Sequence, residues 1–418
     1  MPDYRLGWTP PPRPDWVQKI NDEGNCMNIS GVVPLDEDSL ISAAKRATGL
    51  EDFGSDEWRE PFRVLIKSFE EDAALNLIGR IRTRSEILQL LEARLQIEDT
   101  YKRHPEIDDE IIKEPLFIVG QGRSGSSFLQ NLLAEDPDNG SLMQWEIIYP
   151  CPPPEAATHK TDPRIARAHL AIDQWNRVAP TLPSMHEFAG HMPMEDCQAL
   201  GLDFMSPSWF GSLGQASSYD AYAMAHSYES ALRYHKRLLK LLQWKNPRER
   251  WLLKDNTHID RVETLFKVYP DARLIWPHRD PVRAMASVVS LLGTIQWSRS
   301  DFPFKGGSFE YVLDPKYAAA RLEAFIDKIE SGIVPKGRLY NLQYADLVRD
   351  PIGTVAGLYQ YFGIEFTPTA RDALQSYLDN NPRESRPAHK LHTVPDEETK
   401  GRRAAFRRYQ EYFGVASE

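Results

Sequence analysis

An α/β fold is predicted by the sequence: a parallel sheet flanked by helices, with a helical region before it and a helical insert within it. Short strand-like apolar runs at 116–119, 251–253, 272–276 and 338–342 alternate with helical stretches, the pattern of a parallel sheet. The first run stops at Gly120, and a glycine-rich turn leads into an apolar-periodic helix with Phe128, Leu129, Leu132 and Leu133 on one face. Strand, turn and helix N-terminus together make a P-loop-like anion cradle. Its backbone N–H groups point inward and the helix dipole favours negative charge.

In chain order, residues 1–34 are proline-rich and read as an irregular arm lying on the surface. Helical signals then run to about residue 103. A polar start and an alanine-rich run span 39–48, ending at Gly49. Phe62, Leu65, Ile66 and Phe69 form a second stripe, and Ile87, Leu88, Leu91 and Leu95 a third, both read as packing surface. We expect 1–113 to be an arm and helical region packed on the core, and 114–418 the α/β domain. A short strand is expected at 142–145. Prolines at 150–154 break the chain, and a mainly helical insert occupies about 155–247. The run at 272–276 feeds a helix at 281–292, and the C-terminal part is again helical.

A net charge of −10 argues against general binding to nucleic acid or an anionic membrane. The three cysteines, Cys26, Cys151 and Cys197, lie far apart, which suggests a reducing compartment and no zinc site. The N-terminal stretch lacks a basic-then-apolar signal pattern, and no apolar stretch reaches membrane-spanning length. The expectation is a cytoplasmic protein without an integral membrane segment.

Gly120 and Gly125 have the four-residue separation of a nucleotide-triphosphate loop. Where that motif demands Lys and then Ser or Thr, this chain has Ser126 and Ser127, and a cation, Arg123, sits inside the loop. The site is built for phosphate without the lysine that grips a γ-phosphate. A small-molecule kinase would want that lysine and an acidic Mg²⁺ ligand. It is the alternative enzyme class, and a non-catalytic nucleotide-binding protein is the third reading. A second anion element follows the 272–276 strand. Arg279 leaves the strand end, Asp280 can cap, Pro281 suits the first helical position, and Ser287 lies about two turns along. A guanidinium plus a hydroxyl makes a phosphate clamp. In isolation, Arg-Asp-Pro before a helix also reads as a salt-bridged cap.

The loop GQGRSGSS, the segment WLLKDNTH, the RDP-x5-S element and LQYADLVRDP occur in that order. Together they resemble sulfotransferases that use 3′-phosphoadenosine 5′-phosphosulfate (PAPS), and in particular a bacterial branch with a helical N-terminal region. The likeness extends to TGLEDFG (48–54), QWEIIYPCPPP (144–154) and RRYQEYFG. It implies that Gly122, Arg123, Ser124, Gly125, Ser126 and Ser127 receive the 5′-phosphosulfate, and that Arg279 and Ser287 receive the 3′-phosphate. It also places Tyr344 near that 3′-phosphate, although the family's usual Tyr-Glu-Asp-Leu is Tyr344-Ala345-Asp346-Leu347 here. The product would be adenosine 3′,5′-bisphosphate.

Sulfonyl transfer builds charge on the leaving phosphate, so fixed cations and N–H donors aimed there lower the barrier. Arg123, the loop amides and Lys254 are expected to supply them without a metal; Lys254 also reads as a solvated lysine at a strand end. A general base must take the acceptor's proton. Glu146 comes first, because protein-tyrosine and several bacterial sulfotransferases carry a catalytic Glu at a similar distance past the loop; the plain alternative is a Glu paired with an Arg. The segment 185–196 is second, with His186, Glu187, His191, Glu195 and Asp196, and His258 is third. The insert is rich in aromatics, among them Trp175, Phe188, Phe204, Trp209, Phe210, Tyr219 and Tyr222. The expected partner is a small-molecule acceptor, an apolar or aromatic alcohol such as a phenol, sterol or lipid.

Overall fold

The computed structural model describes residues 8–304, 313–382 and 396–418. Five strands form one parallel sheet in the order β2-β3-β1-β4-β5: β1 Leu116–Ile118, β2 Asn139–Ser141, β3 Arg250–Lys254, β4 Arg273–His278 and β5 Leu339–Gln343. In β1 the side chains alternate between faces. Leu116 and Ile118 join one apolar cluster with Leu129, Leu132, Leu133 and Ile275, whereas Phe117 joins the other with Trp251 and Trp276. Helices cover both faces, which is why the strands read as continuous apolar runs. β1 lies between β3 and β4, so the strand order reverses beside it, and ligands bind such sheets at the carboxyl end of that point.

The sheet differs from expectation at its edge. The second strand is Asn139–Ser141, paired with Arg250–Leu252 of β3, and Gln144–Ile148 is helical. The apolar run at 142–145 reflects burial in the turn out of the edge strand, not strand alternation. The N-terminal arm is also more ordered than its prolines suggest. Asp15–Gly24 is a helix with Val17 fully buried, and Val17 packs with Ile78 and Val178.

The longest helix, Leu77–Arg103, is capped by Asn76 and buries residues around its whole circumference. Its start is seated on the segment after the Pro281–Trp297 helix, where Asn76 N–H donates to the Arg299 carbonyl at 2.9 Å. Gly79 is required there, because a Cβ would stand 2.0 Å from that carbonyl oxygen. Among the described residues no helix is long and apolar enough to cross a membrane.

Gly79→Ala should therefore destabilise the fold by about 1–3 kcal/mol in urea denaturation, the usual range for overpacking. Gly401→Ala, in the helix Asp396–Ala405 with nothing within 4 Å, should instead be neutral or slightly stabilising.

Candidate functional site

The turn after β1 is wedged between the strands that follow. Val119 N–H still bonds the Ile275 carbonyl, and the chain then turns at Gly120 with φ 115°. A Cβ on Gly120 would lie 2.1 Å from Trp276 Nε1, and one on Gly125 (φ 87°) would lie 2.7 Å from the Tyr344 ring. Only glycine permits both the dihedrals and these approaches. Between them Arg123 also takes a positive φ, 67°. Ser124, fully buried, donates its hydroxyl to the Gln121 carbonyl and so pins the turn. The helix Ser126–Leu133 starts at Gly125 without a side-chain cap, leaving its first amides open to an anion.

The second anion element meets this loop directly. Arg123 Nε donates to Ser287 Oγ at 2.9 Å, and Arg279 Nη1 donates to the Arg123 carbonyl at 3.2 Å. The Arg279 guanidinium stacks 4.3 Å above the Tyr344 ring. Gly122, Arg123, Ser124, Gly125, Ser126, Ser127, Arg279, Ser287 and Tyr344 thus border one neighbourhood at the carboxyl ends of β1, β4 and β5. Asp280 also caps its helix, accepting from Val282 N–H at 2.9 Å. The clamp and cap readings of this element are therefore compatible. One partner was invisible in the motif: Arg279 Nε and Nη2 grip both oxygens of Glu418, each at 2.8 Å. The guanidinium holds a chain carboxylate in a two-pronged grip, a stand-in oxyanion that shows the donor set fits one. This pairing, more than anything, raises the Arg279 pKa above its usual value.

Lys254 ends β3 nearly fully buried, so it is not a solvated strand-end lysine. Its ammonium donates to Ser127 Oγ at 3.0 Å and to Glu195 Oε1 at 2.5 Å. His186 Nε2 stands 3.5 Å from the same carboxylate oxygen. Burial alone would push the Glu195 carboxyl up, but Lys254 and His186 outweigh it and hold the group well below the usual carboxylate range. Burial, reinforced by Arg279, pushes the Arg123 guanidinium down, while the Glu195 charge opposes that shift.

The neighbouring residues lock the same two segments together. Asp196, fully buried, accepts from His258 Nε2 at 3.0 Å and faces His235 Nε2 at 3.7 Å. Glu195 and Asp196 thus take one partner each from the KDNTH segment. The sequence contained both halves of this lock, separated by 59 and 62 residues. Burial pushes His235 down to about 4. In His258 burial opposes the charged form, yet the Asp196 hydrogen bond and the charges of Asp255, Asp196 and Asp260 raise its pKa.

Glu146 behaves differently from its expected place as first-choice base. It is fully buried, Oε2 accepts from Met143 N–H at 3.0 Å, and Oε1 is held at 2.9 Å by both Arg248 and His159. The carboxylate is a locked ion pair on the β2 side. Glu187 and His191 are exposed.

Beyond His186 lies a cleft that is partly open to solvent. Trp175, Phe188 and Trp209 line it from the insert, and Arg82, Ser85, Glu86 and Gln89 from the Leu77–Arg103 helix. Phe188 stacks on His186 with ring centroids 4.2 Å apart, which joins this cleft to the Glu195–Lys254 pair.

A sulfotransferase family model matches residues 115–368. The omega-hydroxy-beta-dihydromenaquinone-9 sulfotransferase Stf3 of Mycobacterium bovis is 25% identical over 291 residues, 64% of this chain and 69% of that protein. The crystal structure of sulfotransferase STF1 from Mycobacterium tuberculosis superposes with a TM-score of 0.75 at 28% identity, over 88% of this chain and 98% of that one. The crystal structure of sulfotransferase STF9 from Mycobacterium avium gives 0.77 at 26% identity, over 91% and 97%.

The Asp196–His258 lock should be visible in stability. A histidine whose folded pKa lies above 6.5 contributes stability that is full below pH 6.5 and is lost as pH rises through the raised value. Thermal melts from pH 6 to 9 should show that decline, and Asp196→Asn should abolish it. The variant should also lose about 3–5 kcal/mol near pH 6, because a buried pair is broken.

Proposed function

The chain belongs to the sulfotransferase family, and on that premise we propose that it moves a sulfonyl group from PAPS to a hydroxyl or amine of a small-molecule acceptor by in-line displacement. The observation that carries the reading is the junction at Arg123, which brings the loop after β1 and the Arg279–Ser287 element into one basic pocket with donors for two anionic groups. PAPS would supply the activated sulfonyl group and leave as adenosine 3′,5′-bisphosphate. Gly122, Arg123, Ser124, Gly125, Ser126 and Ser127 would hold the 5′ end, with Ser124 acting through its backbone because its hydroxyl is committed. Arg279, Ser287 and Tyr344 would hold the 3′-phosphate, which takes the place of the Glu418 carboxylate.

Lys254 and Arg123 neutralise charge on the leaving side, and Ser127 keeps the ammonium aimed at the loop. Arg123 contributes electrostatics and does not act as an acid, because a guanidinium holds its proton. Glu195 is the base. In the ligand-free molecule its proximity to Lys254 keeps it a weak one. Once Lys254 turns to the leaving oxygens, Glu195 loses the contact that depresses its basicity and takes the acceptor's proton, steered by His186. Glu146, His258 and Asp196 are assigned structural roles. Stf3 is named for a hydroxylated menaquinone acceptor. The aromatic lining beside His186 likewise supports an apolar or aromatic alcohol.

Titration calorimetry without Mg²⁺ should show adenosine 3′,5′-bisphosphate binding more tightly than ATP; the reverse order would favour a kinase. Arg279→Ala should weaken that binding by about 10–100-fold, the worth of a charge-assisted contact. Glu418→Gln should tighten it by no more than about fivefold, since it removes a competing, partly exposed ion pair.

Glu195→Gln should lower turnover by at least about a hundredfold while sparing bisphosphate affinity. Glu146→Gln should instead cost about 3–5 kcal/mol of stability by stranding Arg248. Full turnover in Glu195→Gln would remove it as the base.

A further inference from the structure

The cleft beyond His186 contains a buried cation that the protein does not fully neutralise. Arg82 is 3% exposed, and its Nη1 donates to Ser298 Oγ at 3.2 Å. Its Nε and Nη2 are buried without a hydrogen-bond partner among the described residues. The nearest acid on its own helix, Glu86, acts on both guanidinium groups: Oε1 is held by Arg299 Nη2 at 2.6 Å, and Oε2 is buried without a hydrogen bond to Arg82 among the described residues. Arg82 and Arg299 both lie over the Trp175 ring, at 4.3 and 4.8 Å. Two guanidinium groups and one carboxylate leave this buried aromatic corner with an excess positive charge.

The identity of the unpaired atoms matters. Nε and Nη2 are adjacent donors on one side of the guanidinium, the fork that matches two oxygens of a carboxylate. The same two atoms of Arg279 hold the two oxygens of Glu418. A carbonyl ligand would leave the charge uncompensated. An oxyanion answers both donors and the charge. Burial and the neighbouring Arg299 push the Arg82 pKa down to about 9, so the group is still a cation at neutral pH.

We propose that Arg82 binds a carboxylate, or an equivalent oxyanion, at the far end of the acceptor, so that the preferred substrates are hydroxylated apolar or aromatic acids. The apolar body lies along Trp175, Phe188 and Trp209, and the hydroxyl reaches toward Glu195 past His186. This deepens the sulfotransferase reading and rests on it. Arg82 is then a specificity residue supplied by the N-terminal helical region, which gives that region a part in choosing the acceptor.

The test uses the full chain saturated with adenosine 3′,5′-bisphosphate. Two probes, 4′-hydroxybiphenyl-4-carboxylate and 16-hydroxyhexadecanoate, are titrated calorimetrically beside their methyl esters. For at least one pair the acid should bind about tenfold or more tightly than its ester. Arg82→Met should bring that ratio close to one while its Tm stays level or rises, because an unpaired buried charge has been removed. Equal binding of acid and ester in the unaltered chain overturns the inference, as does binding of neither. A preference that survives Arg82→Met, or a Tm that falls by several degrees with selectivity unchanged, overturns it too. Should Arg82→Met not fold, Glu86→Gln takes its place; it removes the competing negative charge and should tighten the acid alone, and no change would again count against the proposal. Loss of bisphosphate binding at the first step would instead strike the sulfotransferase reading itself, so the two failures are separable.

Discussion

One residue, Arg123, ties the site together. Its guanidinium donates to Ser287 and its carbonyl accepts from Arg279, so its side chain and its main chain are both held by the element that follows β4. The left-handed backbone that makes this possible costs about 1–3 kcal/mol in a residue with a side chain. The strain is held in place by packing on either side. Gly120 rests on Trp276 and Gly125 on Tyr344, so the loop cannot shift without moving β4 or the start of the helix after β5. The order β1-β4-β5 in the sheet thereby sets the spacing of the anion groups.

A second lock joins the insert to the sheet. Consecutive acids, Glu195 and Asp196, engage Lys254 and His258, four residues apart at the end of β3. The inner pair, Asp196 with His258, is closed off by Phe117 and Tyr269 and serves rigidity. The outer pair borders Ser127 on one side and His186 on the other. The insert that lines the cleft is therefore positioned by the strand that supplies the cation. In the proposed reaction, donor charge and acceptor proton are handled by two ends of a single ion pair.

Local signals in the sequence were reliable where the chemistry was local. The glycine spacing around Arg123 and the Arg279–Ser287 interval are set by a turn and a helix, and both stand where the periodicities put them. The edge strand was displaced because Asn139–Ser141 has no apolar alternation of its own and is defined by backbone pairing with β3. The proline-rich start concealed a helix whose buried stripe, Val17, Asn21 and Gly24, carries a single large apolar side chain. Glu146 looked available because Arg248, 102 residues away, leaves no trace beside it in the chain. Glu418 as the partner of Arg279 was equally beyond reach, at a separation of 139 residues. Partners brought in by tertiary folding decide whether a carboxylate is a base or a strut.

The charges around the donor pocket bear on selectivity. Lys254 is paired with Glu195 and Arg279 with Glu418, so two of the cations expected to meet the proposed donor already hold carboxylates of the chain. Binding there is an exchange of anions, and the ligand must outbid an intramolecular partner at each end. A lone phosphate can answer only one of these positions and recovers little for displacing it. A nucleotide with anionic groups at both its 3′ and 5′ ends answers both at once, and linking the two displacements on one molecule makes the second effectively intramolecular. In a chain with net charge −10, that linkage would let a small basic pocket take the proposed, highly charged donor without becoming a general anion trap.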